Sequence, residues 1–421
     1  MRHPAILKTM HLFFGASLLI ASRLTAEETC CKNGPCENKQ AETNYGLTGD
    51  WSGYRSKLKD RGLELTANYT GEIFGNPTGG KKHGVVFDGL LKLALDINLE
   101  KTAGITDATF RVSGLYPHGT SGSLRNVGDV SLFSNLDTFD SYRLVDLWVE
   151  QKLSEGKLSL RVGQMRVDDE FGVTDSAALF INSTFGVPNP PSTPMPLGSY
   201  PLGALGVRFR FEPVEGFYGL LGIYDGNPSA GDFGGHAKRH GTDWALRSSE
   251  GALYAGELGL QRSTGTYPGA IRIGFLHHTM DFQDVRSNSP DTVHNSSTST
   301  YYVIDQTFWR SSKDSKRGAS VFVRGTFAER KTATMSTTTQ LGAVYTGLLG
   351  TEDKLGVALA RNTFSPGQTS FGSESLAELS YQIPVTSFMR VQPDVQYIAR
   401  PGGTNQYQNA WVLGVRAVLD F

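Results

Sequence analysis

Residues 408–421, QNAWVLGVRAVLDF, decide the reading of the whole chain. Trp411, Leu413, Val415, Ala417, Leu419 and Phe421 fall at every second position, with Val412, Gly414, Arg416 and Asp420 between them. Successive side chains of a strand point to opposite faces, so the segment carries one continuous apolar face and one mixed face. In water, an edge strand with so many exposed aromatic and aliphatic groups would template aggregation. Facing lipid, the same surface is at rest.

The rhythm recurs upstream. In 62–73, Leu63, Leu65, Ala67, Tyr69 and Ile73 oppose Glu64, Thr66, Asn68, Thr70 and Glu72. In 87–100, Leu91, Leu93, Leu95, Ile97 and Leu99 oppose Lys92, Asp96, Asn98 and Glu100. Met389, Val391, Val395 and Tyr397 oppose Arg390, Gln392, Asp394 and Gln396. Segments of about ten alternating residues are the signature of membrane strands. The pattern predicts strands near 62–73, 87–100, 107–115, 142–153, 157–167, 204–213, 216–225, 252–262, 268–281, 300–311, 318–330, 337–350, 354–365, 374–385, 388–399 and 408–421. The first gap, 74–86, reads as long; afterwards short gaps (154–156, 214–215, 351–353, 386–387) alternate with long ones (116–141, 168–203, 226–251, 282–299). Short turns on one side and long loops on the other distinguish an outer-membrane barrel from a soluble sandwich.

Physical necessity closes the sheet. In lipid each backbone N–H and C=O needs an internal partner, so strands cross only as a closed barrel. An even strand count leaves both termini on one side. Around sixteen strands the lumen is too wide to fill with side chains and holds water. The expected fold is all-β: a 16-stranded antiparallel transmembrane β-barrel with an inward-folded constriction loop and a short N-terminal helix.

Composition agrees. The 421 residues are 39% hydrophobic and 19% charged, with 49 glycines, against usual values of roughly 45–50%, about 25% and ~7%. Forty Lys and Arg against 41 Asp and Glu give a net charge of −1, without the basic excess of a nucleic-acid binder. The 23 Phe, 16 Tyr and 5 Trp are too many for a disordered chain. Residues 1–26 read as a secretory signal peptide: Arg2, His3 and Lys8, an apolar run from Leu12 to Ala21, and Leu24-Thr25-Ala26 before the cut. Residues 27–61 form an N-terminal periplasmic segment, and 62–421 the barrel. Cys30, Cys31 and Cys36 are the chain's three cysteines. Export favours a disulfide from Cys36 to one neighbour, leaving one thiol over. No fourth ligand for a metal is evident nearby, and Thr29 argues against a lipid-modified cysteine. Between Asn44 and Asp60, Trp51, Tyr54 and Leu58 stand at near-helical spacing, with Asp50 placed to cap.

The C-terminal strand ending on Phe421 resembles the signal by which bacterial outer-membrane barrels are recognised by their assembly machinery. From about residue 44 to 421 the chain resembles the carbohydrate-selective outer-membrane porins of the OprB type. The resemblance rests on LTGDWSG (47–53) with Arg55 and Leu58, where Ser52 departs from the family's usual Gly. It continues through Trp148-Val149-Glu150-Gln151, Leu160-Arg161-Val162-Gly163-Gln164, Asp168-Asp169-Glu170-Phe171 and the stretch 178–186, ALFINSTFG. Tyr200-Pro201, Gly206-Val207-Arg208 and Tyr224-Asp225-Gly226-Asn227-Pro228 follow in order. The C-terminal half matches mainly through its strand pattern. The resemblance implies a porin in the outer membrane passing small sugars by passive diffusion, with no cofactor and no enzymatic step.

The loop 168–203 is the expected constriction. Ala177-Ala178-Leu179-Phe180-Ile181 suits a packed surface better than water, and Pro188, Pro190, Pro191, Pro194 and Pro196 stiffen the return. Alternation directs Glu72, Arg111, Glu150, Arg161, Arg208, Arg210, Arg324 and Arg390 inward. Mixed Arg and carboxylate groups suit a neutral polyhydroxylated solute, and Tyr142, Trp148 or Phe171 could stack on a sugar face. The candidate pore-lining set is Glu72, Arg111, Glu150, Arg161, Arg166, Asp168, Glu170, Asn182 and Arg208.

Other readings are a plugged barrel with a structural or adhesive role and an outer-membrane lipid hydrolase. Against the hydrolase, His277 and His278 are adjacent in a strand and point opposite ways, and His118, His236, His240 and His294 sit in loops without a nucleophile motif. Asp168-Asp169-Glu170 lacks the regular spacing of a calcium loop. Which sugar passes, and whether the chain is a monomer or homo-oligomer, are left open.

Overall fold

The structure is a computed structural model and describes residues 46–186, 195–228, 239–262, 265–287, 292–312, 315–367 and 372–421. The signal-peptide reading, Cys30, Cys31 and Cys36, and four of the five loop prolines lie outside those residues.

Sixteen antiparallel strands close into one barrel. They are β1 (Leu63–Gly80), β2 (Gly84–Asn98), β3 (Ala108–Gly119), β4 (Arg143–Leu153), β5 (Leu158–Met165), β6 (Ala204–Val214), β7 (Phe217–Asp225) and β8 (Ala252–Arg262). Then come β9 (Gly269–His278), β10 (Ser297–Arg310), β11 (Gly318–Ala328), β12 (Met335–Thr346), β13 (Lys354–Phe364), β14 (Ser373–Pro384), β15 (Met389–Ala399) and β16 (Gln408–Asp420). Each strand pairs with its chain neighbours, and β16 closes on β1 from Asn68↔Asp420 to Gly75↔Leu413 and on through a bulge. A separate two-stranded hairpin, Phe282–Gln283 with Val293–His294, stands in the β9–β10 loop.

The side-chain period decides what faces lipid. On β16, Trp411, Leu413 and Val415 are exposed on the outer surface while Val412 is fully buried inside. The inner face crowds one glycine: a Cβ on Gly414 would come within 2.2 Å of the Phe74 ring. All the connections on one side are short, from two to nine residues between strands; the other side carries the long loops. One expectation fails. The gap 74–86 is no long loop, because β1 and β2 stay paired as far as Asn76↔Gly84 and β1 runs on to Gly80 against β16.

Before β1, a 3-10 turn (Trp51–Gly53) leads into helix α1 (Tyr54–Asp60). The Asp50 carboxylate accepts the Ser56 N–H at 2.8 Å and its hydroxyl at 2.8 Å, an N-terminal brace one turn back from the helix. This segment seals the closing seam. Leu47 donates its N–H to the Asp420 carbonyl at 2.8 Å, and Arg55 Nη2 donates to the terminal Phe421 oxygen at 2.9 Å and to the Leu65 carbonyl at 3.1 Å.

Two of the long loops turn into the lumen. The apolar stretch Ala177–Ile181 packs with Phe185 against Phe322, Val344, Ala358 and Leu376 of the wall. Phe133, from the loop between β3 and β4, joins the same cluster beside Phe74 and Val412.

Candidate functional site

A loop crossing a barrel interior has no sheet of its own, so its backbone groups need partners. Wall side chains provide them. Glu257 on β8 accepts the Gly172 N–H at 2.7 Å. Asp305 on β10 accepts Ser176 N–H at 2.8 Å and its hydroxyl at 2.6 Å. Glu378 on β14 accepts the N–H groups of Ile181 and Asn182 at 2.6 and 3.1 Å. Arg324 on β11 donates to the carbonyls of Phe185 and Gly186 at 3.1 and 2.7 Å, and Gln392 on β15 to that of Leu179 at 2.6 Å. The β3–β4 loop is held likewise: Glu374 accepts Val130 and Ser131 N–H groups at 3.0 and 3.1 Å. The loops also hold each other, through Asn135 N–H to the Ile181 carbonyl at 2.8 Å and Ser183 N–H to that of Leu132 at 2.9 Å. These contacts spend Glu257, Asp305, Arg324, Glu374, Glu378 and Gln392 on the loops.

The wall from β2 to β6 keeps its charged face toward the remaining space. In-register residues of adjacent strands lie about 4.8 Å apart, so inward side chains on one rung meet. Glu150, Arg161 and Arg208 form such a rung across β4, β5 and β6. Arg161 Nη2 donates to Glu150 at 2.8 Å and Arg208 Nη2 to its other oxygen at 2.7 Å. Glu170, at the loop's start, closes the ring: it pairs with Arg208 Nε at 2.7 Å and Arg161 Nη1 at 3.2 Å. Two cations and two carboxylates make the cluster neutral. Arg208 is only 1% accessible, whereas Arg161, Glu150 and Glu170 keep partial access to solvent. The Arg161 guanidinium lies 4.0 Å above the Trp148 ring.

The next inward rung is Asp96, Arg111 and Trp148. Arg111 pairs with Asp96 at 3.0 Å and with Asp146 at 3.7 Å. At the loop's start Arg166 pairs with Asp169 at 2.6 Å, while Asp168 accepts the Tyr200 N–H at 3.4 Å. Burial lifts the Asp168 carboxyl above its usual range, opposed by the Arg166 guanidinium. Asp168, Asp169 and Glu170 therefore serve three different partners.

The sequence-predicted residues separate into groups. Glu150, Arg161, Glu170 and Arg208 come together, with Arg111 one inward rung away and Arg166 and Asp168 at the loop's start. Glu72 and Asn182, expected to line the pore, are only 2% and 1% accessible. Glu72 is bound by Arg416 at 2.6 Å and by the Ser134 hydroxyl, and so holds the β3–β4 loop. Asn182 donates to Gln396 at 3.0 Å and to the Ser131 carbonyl at 3.1 Å, holding the constriction loop. Arg324 is likewise a loop anchor, and Arg390 pairs with Asp420 at 3.0 Å near the chain's end. Of the three candidate stacking aromatics, Phe171 is buried in an apolar cluster, Tyr142 stacks on His240 at 4.1 Å, and Trp148 is covered by Arg161. Sequence reasoning missed Asp96, Asp146 and the anchors Glu257, Asp305 and Glu378. Alternation marks them as inward, but Asp96 and Asp146 meet Arg111 only across paired strands, and Glu257, Asp305 and Glu378 take loop backbone N–H groups that no local pattern announces.

Comparison with known proteins places this geometry. The pattern of the family described as "Carbohydrate-selective porin, OprB family" matches residues 82–421. Porin B of Pseudomonas aeruginosa is 26% identical over 421 residues, covering 89% of this chain and 91% of that protein. The high-pH structure of Pseudomonas putida OprB superposes with a TM-score of 0.82 at 24% identity, covering 90% of this chain and 98% of the other. The low-pH structure of the same protein covers the same shares with a TM-score of 0.59 at 20% identity. At those identities the two structures speak to the fold.

Proposed function

Because this chain belongs to the OprB family of carbohydrate-selective porins, we propose that its sugar-selecting element is the cluster Glu150, Arg161, Glu170 and Arg208. The protein is a sugar-selective channel of the bacterial outer membrane, and membership of a porin family makes it a channel rather than an enzyme. Solutes move down their gradient, so selection is a matter of which molecule exchanges its water most readily at the narrowest level.

The observation that carries the assignment is the closed ring of two guanidiniums and two carboxylates between wall and loop. Its net charge is zero, so it offers no single-sign field to an ion. It offers donors and acceptors side by side, which is what vicinal hydroxyls need. Arg161, Glu150 and Glu170 each keep part of the side chain open to solvent, 14%, 15% and 20%, and that edge presents donors and acceptors to a solute. Mutual pairing holds the groups in place, and passage demands weak contacts, since a solute that binds tightly blocks the pore. Arg111 with Asp96 extends the lining on the next rung. At the other end of the chain, Phe421 on its amphipathic strand supports recognition by the barrel-assembly machinery.

Liposome swelling tests the reading. Arg161→Ala is expected to slow monosaccharide passage relative to an amino acid of equal size, because the sugar loses a specific donor and the amino acid does not. Equal slowing of both solutes, or of neither, would remove the cluster from selection.

A further inference from the structure

The β3–β4 loop is fastened on the long-loop side by two buried acids. Glu374, at the start of β14, is 1% accessible and accepts three backbone N–H groups. They are Val130 at 3.0 Å, Ser131 at 3.1 Å, and Gly402, from the turn Pro401–Gly403 between β15 and β16, at 2.7 Å. Asp129, one residue before Val130, is 5% accessible. Its Oδ2 accepts the Ser123 hydroxyl at 3.1 Å, while its Oδ1 is buried without a hydrogen-bond partner among the described residues. Among the described residues neither acid has an ion pair.

The charged groups around the pair do not neutralise it. On the loop itself, Asp137 accepts the Ser121 hydroxyl at 2.8 Å and adds negative charge, while Arg125 is exposed. Glu72 on β1 and Arg416 on β16 hold each other at 2.6 Å, and Asp88 on β2 accepts the Thr120 N–H at 2.8 Å. Lys81, between β1 and β2, donates to the Leu124 carbonyl at 3.0 Å, and Arg400 is exposed. A carboxylate that accepts three N–H groups is acting as an anion, with about one of its four acceptor sites left. A second carboxylate beside it, shut away from water, would be desolvated and repelled at once. A neutral Asp129 removes both costs, and its O–H is a donor for the remaining Glu374 site. Burial and the Glu374 charge lift the Asp129 carboxyl well above its usual range.

We propose that Asp129 and Glu374 share one proton, and that this proton latches the β3–β4 loop to the wall, so that the width of the pore responds to pH. Losing it leaves two anions facing each other behind the loop. The loop then parts from Glu374 and takes with it Phe133 and the Asn135 N–H bond to Ile181 of the constriction loop at 2.8 Å. A carboxyl lifted by docking favours the docked loop at low pH, and that support is lost as pH rises through its value, so release lies on the alkaline side. One proton per latch makes the ratio of released to docked loop rise about tenfold per pH unit there. The latch governs gating and holds whichever solute the pore selects.

The test is single-channel conductance of the full-length protein in planar bilayers from about pH 5 to about pH 10, a span that brackets ordinary and raised carboxyl values. Wild type should widen on the alkaline side, and so should Asp140→Asn, which alters an exposed acid of the same loop. Asp129→Asn carries its own donor and no titrating proton, so its conductance should stay at the low-pH value of wild type throughout. Infrared difference spectra between neutral and alkaline pH should show one protonated carboxyl more in wild type than in Asp129→Asn, lost over the range in which the pore widens. Heat-modifiable mobility on gels reports folding; should Asp129→Asn fail to fold, the infrared titration of wild type carries the test. An alkaline rise in Asp129→Asn equal to that of wild type overturns the latch, as does a wild type with no alkaline rise or no titrating carboxyl band. A barrel that carries no current at any pH sinks the channel reading, and the infrared band then decides the shared proton alone.

Discussion

Replacing Arg208 with Ala probes the ring where its geometry is most constrained. Arg208 is 1% accessible and bridges Glu150 on the wall to Glu170 on the loop, both at 2.7 Å. Its removal leaves both carboxylates dependent on Arg161 and turns a neutral cluster into one with a charge of −1. Two effects follow. The loop's start loses its tie to β6, and breaking a buried pair by deleting one partner costs about 3–5 kcal/mol. The pore also acquires an uncompensated negative charge. A monovalent ion passing about 7 Å away in a water-like medium feels about 0.6 kcal/mol, cut to roughly half by screening at 0.1 M salt. Cations gain and anions lose by that amount, so the cation-to-anion permeability ratio should rise about threefold. Reversal potentials across a salt gradient in planar bilayers read this directly, with heat-modifiable mobility as the folding control. A folded Arg208→Ala channel with wild-type reversal potential would show that the ring does not face the conducting path, and the selection argument would fall.

Two other perturbations separate loop from seam. Glu378→Ala strips the acceptor from the N–H groups of Ile181 and Asn182, costing about 1–3 kcal/mol for each buried donor left alone. The loop should then leave the wall, raising single-channel conductance and flattening discrimination among sugars; unchanged conductance would mean the remaining anchors suffice. Arg55→Ala removes the donor to the Phe421 oxygen and the Leu65 carbonyl. It should lower the temperature at which the barrel opens in detergent gels by about 2–4 °C while leaving conductance as in wild type, and a conductance change would place α1 in the permeation path instead.

The barrel was legible because its determinants are local. Lipid on one side and water on the other impose a period of two on every strand, and QNAWVLGVRAVLDF displays it without help from the rest of the chain. The one misjudged hairpin has a physical reason. Asn76-Pro77-Thr78-Gly79-Gly80 carries turn residues and no alternation, yet β1 continues through it, because strand pairing persists where the sheet no longer needs a greasy face. Alternation likewise placed Glu150, Arg161 and Arg208 inside. Their meeting depended on the shared register of β4, β5 and β6, which the 58 positions from Glu150 to Arg208 conceal.

Strand number, which faces are wet, and the presence of an apolar segment unsuited to water were thus properties of the amino-acid order alone. Which inward charges hold loops and which remain for a solute was decided only by the closed structure. Glu72, Asn182 and Arg324 look like lumen residues in one dimension and prove to be anchors, because their partners come from 62, 214 and 138 residues away. A carboxylate's role inside a barrel is set by what crosses in front of it, and that is a fact of folded space.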